Sequence, residues 1–174
     1  MEPTTICPKC RREIAPGSST CPYCLTPIRT SAIGRGWGFE WKSSSMMFGL
    51  PLVHIAFGRD ASGKWRVARG IIAIGQFAVG GIVFAQIGAA AIFGFGQIML
   101  APVVIAQIAI GLVFGLGQIA TGYVAVGQVV LAVYGAGQTG WAEHLISSRF
   151  KDPEAVAFFN QWLERIGISW RWKV

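Results

Sequence analysis

The sequence predicts a mainly β protein, in which a stack of repeated strands lies between a short cysteine-rich segment and a C-terminal helix. Residues 70–142 contain no Asp, Glu, Lys, Arg or His and repeat with a period of about 21 residues. All four cysteines fall within the first 30 residues, and an Asp-Pro-Glu helix start stands at 152–154. A repeat of this length is typical of stacked architectures, in which one unit cannot bury its apolar face alone.

The N-terminal segment, residues 1–30, carries two Cys-Pro-x-Cys motifs. Two such turns can bring four thiolates to one tetrahedral ion, each at about 2.3 Å. The spacing resembles the short zinc ribbon that heads many bacterial membrane proteins, although Arg11 and Leu25 stand where that ribbon often has Gly. Four protein ligands leave no open position for catalysis. We therefore predict one structural zinc ion per chain, bound by Cys7, Cys10, Cys21 and Cys24.

Residues 31–48 are predicted to be a linker that contains one aromatic strand. Residues 37–42, WGFEWK, alternate apolar side chains with polar or small ones, which is the period of a strand. Farther along, residues 60–64, DASGK, favour a turn between two strands.

Residues 49–142 are assigned to the apolar repeat. Residues 76–96 and 97–117 begin at the same point of the repeat, and residues 118–137 follow the same frame with one residue fewer. Isoleucine, valine and glycine dominate this segment, and β-branched residues favour strands. The period predicts a β-solenoid of about 21 residues per coil with an apolar exterior.

A finer period of five or six residues lies inside each repeat. It resembles the pentapeptide-repeat pattern, in spacing only and over residues 70–142. That resemblance implies four-sided coils, in which a small residue and a larger residue two places later both face inward. The small positions are Gly75, Gly80, Ala85, Ala90, Gly96, Ala101, Ala106, Gly111, Gly117, Gly122, Gly127, Ala132 and Gly137. The larger ones are Phe77, Ile82, Ile87, Ile92, Ile98, Val103, Ile108, Val113, Ile119, Val124, Val129 and Tyr134. The outward positions are then Val79, Phe84, Phe95, Leu100, Ile105, Ile110, Leu116, Val126 and Leu131.

The alternative for this segment is a set of about three transmembrane helices, since 73 uncharged residues could hold three spans of about 20. Two observations oppose it. A five-residue step advances about 500° around a helix, so the small residues would form no single packing seam. Basic residues also flank the segment on both sides, whereas an odd number of spans favours them on one side.

Seven glutamines form the second regularity. The 21-residue period arranges them in two columns that lie half a coil apart. Because strands of neighbouring coils are about 4.8 Å apart, amide side chains can hydrogen bond along each column as a ladder that fixes the register. The first column is Gln76, Gln97, Gln118 and Gln138, and the second is Gln86, Gln107 and Gln128.

Residues 143–174 are predicted to hold an amphipathic helix and an aromatic C-terminal strand. Asp152 is the expected N-cap, Pro153 the first helical residue, and Gly167 the end. The apolar face is expected either to cap the last coil, which we favour, or to lie on a bilayer. Residues 168–174 again alternate like a strand.

The start of the apolar region, residues 49–59 and 68–75, resembles a group of uncharacterised bacterial membrane-associated proteins. In that group, a similar opening leads into Gly-rich apolar repeats. The resemblance supports the architecture and implies no activity.

The polar inventory predicts a protein that is not an enzyme. His54 and His144 are the only histidines, His54 is expected to be a packed residue, and no phosphate-binding loop is present. The net charge of the chain is +7, and its basic residues flank the apolar segment on both sides. This arrangement favours anionic lipid over nucleic acid as a partner.

We expect a scaffold or assembly platform embedded in the cytoplasmic membrane, with the zinc ribbon on the cytoplasmic side as an adaptor for a protein partner. A homo-oligomer would serve to cover the apolar exterior. Two alternatives are a pore or transport protein that uses the glutamine columns, and a zinc-ribbon module that binds protein or nucleic acid and is anchored by the apolar region.

Overall fold

The computed structural model describes residues 5–7, 9–14, 20–26, 37–169 and 171–172. The chain divides into two compact units. The first comprises Met1–Gly38 and Gly58–Trp65, and the second comprises Phe39–Phe57 and Arg66–Val174.

In the first unit, strand β1 (Thr5–Ile6) pairs antiparallel with β2 (Glu13–Ile14). The turn predicted at residues 60–64 is confirmed. The Asp60 carboxylate accepts hydrogen bonds from the backbone N–H of Ser62 at 2.8 Å and of Lys64 at 3.0 Å, and Gly63 has a φ of 81°.

Most of the second unit is β structure that begins with short strands. These are β3 (Gly38–Lys42), β4 (Met46–Met47), β5 (Leu50–Pro51) and β6 (Val53–Gly58). They are followed by the long element β7 (Val67–Ile146). The aromatic strand predicted within residues 37–42 is confirmed as β3. One sheet has the order β3-β6-β7, and β6 runs parallel to β7 with Val53 opposite Ile72.

The 80 residues of β7 form a continuous strand trace that folds back on itself. Fully extended, such a strand would be about 260 Å long and could not bring its own residues together. Yet the Thr121 hydroxyl donates to the Gly111 carbonyl at 3.3 Å, across ten residues of chain. A methyl group built on Gly96 would meet the Ala85 carbonyl, and one on Gly117 would meet the Ala106 carbonyl. Backbone neighbours are therefore ten or eleven residues apart.

We call each of these units a rung, beginning at the small residue before each glutamine. The seven rungs are residues 75–84, 85–95, 96–105, 106–116, 117–126, 127–136 and 137–146. The predicted coil length of about 21 residues is therefore wrong by a factor of two. The physical reason is the size of the interior residues. Alanines such as Ala78, Ala109 and Ala125 are fully buried, and side chains this small leave two walls in contact rather than filling a four-sided coil.

The inward phase also differs from the prediction. Small residues such as Ala85, Ala101 and Ala106 are buried as expected, but the second buried position lies three places later, not two. The cause is a corner, because the second and third residues of a rung both face outward where the chain changes direction. Buried at the new position are Ala78, Val83, Met99, Val104, Ala109, Ala120, Ala125 and Val130. Exposed, against the prediction, are Ile87, Ile92, Ile98, Ile108, Val113, Ile119 and Val129.

The predicted outward positions are largely confirmed. Ile105 and Val126 are half-buried, and the other seven are exposed: Val79, Phe84, Phe95, Leu100, Ile110, Leu116 and Leu131. The described part of β7 is thus an apolar segment with apolar side chains on its outside as well as its inside.

The alternative of about three transmembrane helices is wrong, because the uncharged segment is β structure throughout. No helix in the described part of the chain has the length and apolarity needed to span a membrane.

The C-terminal helix α1 (Pro153–Arg165) forms as predicted. Asp152 caps it, accepting hydrogen bonds from the N–H groups of Glu154 at 2.8 Å and Ala155 at 3.0 Å. The helix packs on the later rungs through a cluster that includes Val156, Phe159, Ala136 and Ile146, and the Phe158 ring stacks on Tyr134 with a centroid distance of 4.2 Å. The helix is therefore packed rather than free, but it lies against the side of several rungs, since Trp162 also stacks on Phe114 of rung 106–116. The expectation that it would cap the last coil is wrong.

The predicted C-terminal strand is not formed by the described residues of the tail, 168–169 and 171–172. Trp170, Lys173 and Val174, which belong to the same prediction, lie outside the described residues. The backbone of Trp172 pairs instead with the Asn160 side chain, donating to Oδ1 at 2.8 Å and accepting from Nδ2 at 3.0 Å. An amide side chain on α1 therefore takes the hydrogen bonds that a strand partner would have supplied.

Candidate metal centre

The four cysteines converge on one point in the first unit. Their Sγ atoms all lie within 4.8 Å of one another. Cys7 Sγ is 3.7 Å from Cys24 Sγ, and Cys10 Sγ is 3.6 Å from Cys21 Sγ. Ligands at about 2.3 Å in a tetrahedron are separated by about 3.8 Å. The sulfur positions therefore match those of a four-thiolate metal site.

The same backbone turn builds both halves of the cluster. The Cys7 carbonyl accepts from the Arg11 N–H, and the Cys21 carbonyl accepts from the Leu25 N–H, each at 2.9 Å. Arg11 and Leu25 have positive φ angles of 57° and 53°. The left-handed conformation favours Gly at these two positions, because only Gly adopts it without a steric penalty.

The thiol pKa values differ across the cluster. The Thr26 hydroxyl lies 3.3 Å from Cys24 Sγ, and hydrogen bonding by that hydroxyl and by the Thr26 N–H lowers the pKa of Cys24 to about 6. A backbone hydrogen bond at Arg12 acts to lower the pKa of Cys10, but burial and the neighbouring thiols outweigh it and raise that pKa to about 11. Four thiolates this close repel one another, so their joint deprotonation calls for a cation among them.

The cluster can therefore bind a metal ion such as zinc. The residues fit the ion in donor type, in number and in separation, and Cys7 and Cys21 are fully buried. A bound ion would stabilise this segment, in whose described residues Ile14 is the buried apolar side chain besides the cysteines.

The glutamines lie along one edge of β7. Because consecutive rungs are ten or eleven residues apart, the two predicted columns merge into one, with a glutamine at the second position of every rung. Gln107 and Gln118 illustrate this, since a methyl group on Gly117 would lie 3.1 Å from the Gln107 carbonyl and one on Gly127 3.4 Å from the Gln118 carbonyl. Gln76 is half-buried, and the other six are exposed: Gln86, Gln97, Gln107, Gln118, Gln128 and Gln138. The hydrogen-bonded ladder along them stays a prediction.

His54 is packed, as predicted, with 4% of its surface exposed. Its Nδ1 accepts a hydrogen bond from the Arg69 N–H at 2.7 Å, which leaves the ring proton on Nε2. Nε2 lies 3.3 Å from Glu40 Oε1. Lys42 and Arg66 also contact the Glu40 carboxylate. Both lower the pKa of Glu40 from its ordinary value, and Lys42 has the larger effect. Both ring nitrogens of His54 face protein groups.

His144 belongs to the helix cap. Its Nδ1 lies 3.4 Å from Asp152 Oδ1 and its Nε2 lies 3.3 Å from Glu154 Oε2. The ring stacks on Tyr134 at a centroid distance of 4.9 Å. The contacts join the last rung to the first turn of α1.

Sequence reasoning missed one exposed apolar feature, the hairpin formed by β4 and β5. Its tip is Phe48 and Gly49, with φ angles of 53° and 77°. Phe48 is 90% exposed and Met46 is 62% exposed. A bulky aromatic residue in the left-handed region is uncommon in proteins. The signal in the sequence was the run Met-Met-Phe-Gly-Leu, which resembles a buried strand more than a hairpin.

Comparison with known proteins gives no match to a family model, to a curated protein or to a solved structure.

Proposed function

We propose that this protein is a non-enzymatic membrane scaffold, in which the rungs of β7 form one membrane-embedded β-solenoid and the cysteine cluster binds structural zinc. The observation that carries the proposal is the outward face of the uncharged segment. Large apolar side chains are exposed along its length, among them Val79, Phe95, Ile110 and Leu131. Water-soluble proteins seldom expose a continuous apolar surface of this extent.

The length of the stack supports the same proposal. The seven rungs, which hold most of the uncharged segment, make six steps, and at about 4.8 Å each these cover about 29 Å. Residues 70–74 and β6 add further layers before the first rung. The hydrocarbon core of a bilayer is about 30 Å thick. With the stack axis along the membrane normal, the seven rungs would therefore fit within that core. Each rung hydrogen bonds to the next, so the backbone groups inside the bilayer would be satisfied, as lipid requires.

The residues that flank the uncharged segment fit a membrane interface. Arg66 and Arg69 precede it, and Trp141, His144 and Lys151 follow its apolar part. Tryptophan and basic side chains favour the interface and its anionic headgroups. The apolar tip of the hairpin, Phe48, lies on the N-terminal side of the segment and is suited to insertion among headgroups.

The cysteine cluster supports the role of the N-terminal unit as an adaptor. A zinc ion bound by four thiolates has no open coordination position for a substrate. Such an ion makes a small segment rigid, so that it can serve as a binding platform rather than a catalyst. On this proposal, the cluster faces the cytoplasm, where cysteines stay reduced and available to zinc, and presents the surface that a protein partner recognises.

The experiment is fractionation of the full chain with membranes, followed by washing with high salt and then with carbonate at alkaline pH. We expect the protein to stay in the membrane through both washes, because the outward apolar residues have no aqueous complement. Zinc measured by elemental analysis of the detergent-purified protein should equal one per chain. Recovery in the salt wash would mean that only the basic flanks hold the protein. Recovery as a monodisperse species without detergent would rule out membrane embedding.

A further inference from the structure

One edge of β7 combines a ridge, a line of amides and a groove. The ridge is the third residue of successive rungs, which is exposed: Ile87, Ile98, Ile108, Ile119 and Val129. The glutamines at the second position stand beside it. On their other side is a groove of about 420 Å³, lined by Phe95, Gly96, Ile105, Ala106, Leu116 and Gly117 together with Gln107 and Gln118.

The groove continues toward the C-terminus along the same positions. A second depression of about 450 Å³ has Val126, Gly127, Ala136, Gly137 and Gln138 on one side, and its other side is formed by Ile146, Ser147, Ser148, Lys151 and Trp172. The floor consists of the small residues that begin each rung, and the outward residues that end each rung form the far wall. We call the ridge, the glutamines and this groove together the glutamine edge.

The amides decide what can cover the glutamine edge. Each glutamine side chain has two N–H donors and a carbonyl oxygen with two acceptor sites. Even a complete ladder along the column would occupy only one donor and one acceptor per residue, so half of the hydrogen-bonding capacity of the six exposed glutamines would remain for a partner. An acyl chain would fill the groove but would leave those groups unsatisfied, which is costly in lipid. A second set of glutamines at the same spacing would satisfy them.

We propose that the glutamine edge is the interface of a homodimer, in which two copies of this chain face each other across a two-fold axis parallel to the stack. The order across the edge is groove, glutamine, ridge. Rotation by 180° about that axis reverses the order, so the ridge of each copy lies over the groove of the other and the glutamines meet at the centre. The interface is isologous, and every rung faces its own counterpart. The direction of the axis rests on the proposed function, since two copies inserted the same way share the membrane normal.

The test is photocrosslinking of the full chain in native membranes. A benzophenone amino acid replaces Ile108 on the ridge or, as the matched control, Ile110 on the adjoining face. The two side chains are similarly exposed, at 36% and 41%. We expect an adduct of twice the chain mass from position 108, at least tenfold more abundant than from position 110. Absence of that adduct, equal adducts at both positions, or a crosslink at 108 to a different protein overturns the proposal.

A second variant tests the role of the amides. Replacing Gln97, Gln107 and Gln118 together by Leu keeps the groove apolar and removes six amides from the dimer. We expect the adduct from position 108 to fall at least fivefold while protease resistance of the repeat is retained, and an undiminished adduct in the folded variant overturns the role of the glutamines. Failure of this proposal is distinguishable from failure of membrane embedding. A chain that resists carbonate but gives no adduct contradicts the dimer alone, and a chain that carbonate extracts but that still crosslinks at 108 contradicts the membrane alone.

Discussion

Arg11 and Leu25, which each follow a Cys-Pro-x-Cys turn, have left-handed backbone conformations that are unfavourable for any residue with a side chain. The left-handed region costs a non-glycine residue about 1–2 kcal/mol. The hydrogen bonds from the Arg11 and Leu25 N–H groups to the Cys7 and Cys21 carbonyls hold both residues there. The Cys-x-x-Cys spacing was enough to predict the four ligands, because each pair is local in sequence. The sequence marked Arg11 and Leu25 only as departures from the Gly that often stands there, and their positive φ angles became visible in the structure.

Replacing Leu25 by Gly should therefore tighten zinc binding. Relief of the left-handed strain is offset in part by the greater freedom that Gly gives the unfolded chain, about 0.5–1 kcal/mol. The net gain of about 0.5–1 kcal/mol corresponds to roughly two- to fivefold slower loss of zinc to a competing chelator. Leu25→Ala is the control, because it removes the same exposed side chain and keeps the strain. Equal chelator resistance in the two variants would show that the side chain, not the backbone, was responsible.

Asp152 gives helix α1 a pH dependence. The pKa of this carboxyl is lowered from its ordinary value of 3.8, mainly by the hydrogen bond from the Ala155 N–H. The Glu154 N–H and His144 add smaller effects. A group with a lowered folded pKa stabilises the native state above its unfolded pKa, and this stabilisation is lost as the pH falls through the folded pKa. We expect the packing of α1 to weaken below about pH 4.

The measurement for this second prediction is the thermal midpoint of the wild type and of Asp152→Asn in detergent at several pH values. The Asn side chain still caps a helix but carries no charge. The advantage of the wild type should be largest near neutral pH and should shrink as the pH falls below about 4. A difference that stays constant over this range would mean that the charge of Asp152 does not contribute.

At the scale of the element, the ten- or eleven-residue rung explains why the repeat and its outward positions could be predicted from the sequence and why the coil length could not. The 21-residue repeat is real, but it is a pair of rungs, one of ten residues and one of eleven. In the eleven-residue rungs, Gly94 and Gly115 are buried immediately before the outward last residue. The outward positions were predictable because exposed apolar residues recur with the sequence period. The coil length was not, because the spacing of inward residues does not reveal how many walls enclose them, and the corner that shifts the inward phase has no residue signature.

Glycine at the start of a rung is required where backbones meet. Gly96→Ala should destabilise the fold by about 1–3 kcal/mol, because the new methyl group would collide with the Ala85 carbonyl, which cannot move without shifting a rung. Gly94→Ala is the control, two residues away. The nearest atom to its methyl group would be the terminal Cε of Met99, at 2.8 Å, and the next contacts would lie at 3.5 Å or more. The end of a flexible side chain yields more readily than a backbone carbonyl. Denaturation in detergent should separate the two variants by at least about 1 kcal/mol, and equal midpoints would contradict the close approach of the rungs.

At the scale of the whole molecule, the rung count sets the length of the stack. Deleting residues 97–106 joins Gly96 to Gln107 and removes one rung. Every remaining residue keeps its inward or outward direction, and the stack shortens by about 4.8 Å. We expect the shortened chain to fold with lower stability, because one interface between repeats has been lost. Deleting 97–103 is the control, since it puts the later rungs out of phase. Protease resistance of the repeat is the measurement.

A coil of 21 residues predicts the opposite result for the same pair of deletions. Removing ten residues would then take away half a coil, and every later residue would move to the opposite side of the coil. The ten-residue deletion would therefore be as harmful as the seven-residue deletion. Equal loss of protease resistance in the two chains would therefore contradict the ten-residue rung.

The short reach between neighbouring rungs has a consequence for how the chain acquires its structure. Every stacking contact in β7 joins residues only ten or eleven apart, so closing each one costs little chain entropy. Such local connectivity is associated with rapid folding, and in linear arrays order can begin anywhere and spread. The ribosome supplies about 5–20 residues per second, so a new rung emerges about once or twice each second. Each could settle on its predecessor before the next has been made, and helix α1, synthesised after the rungs, would pack against a stack that is already assembled.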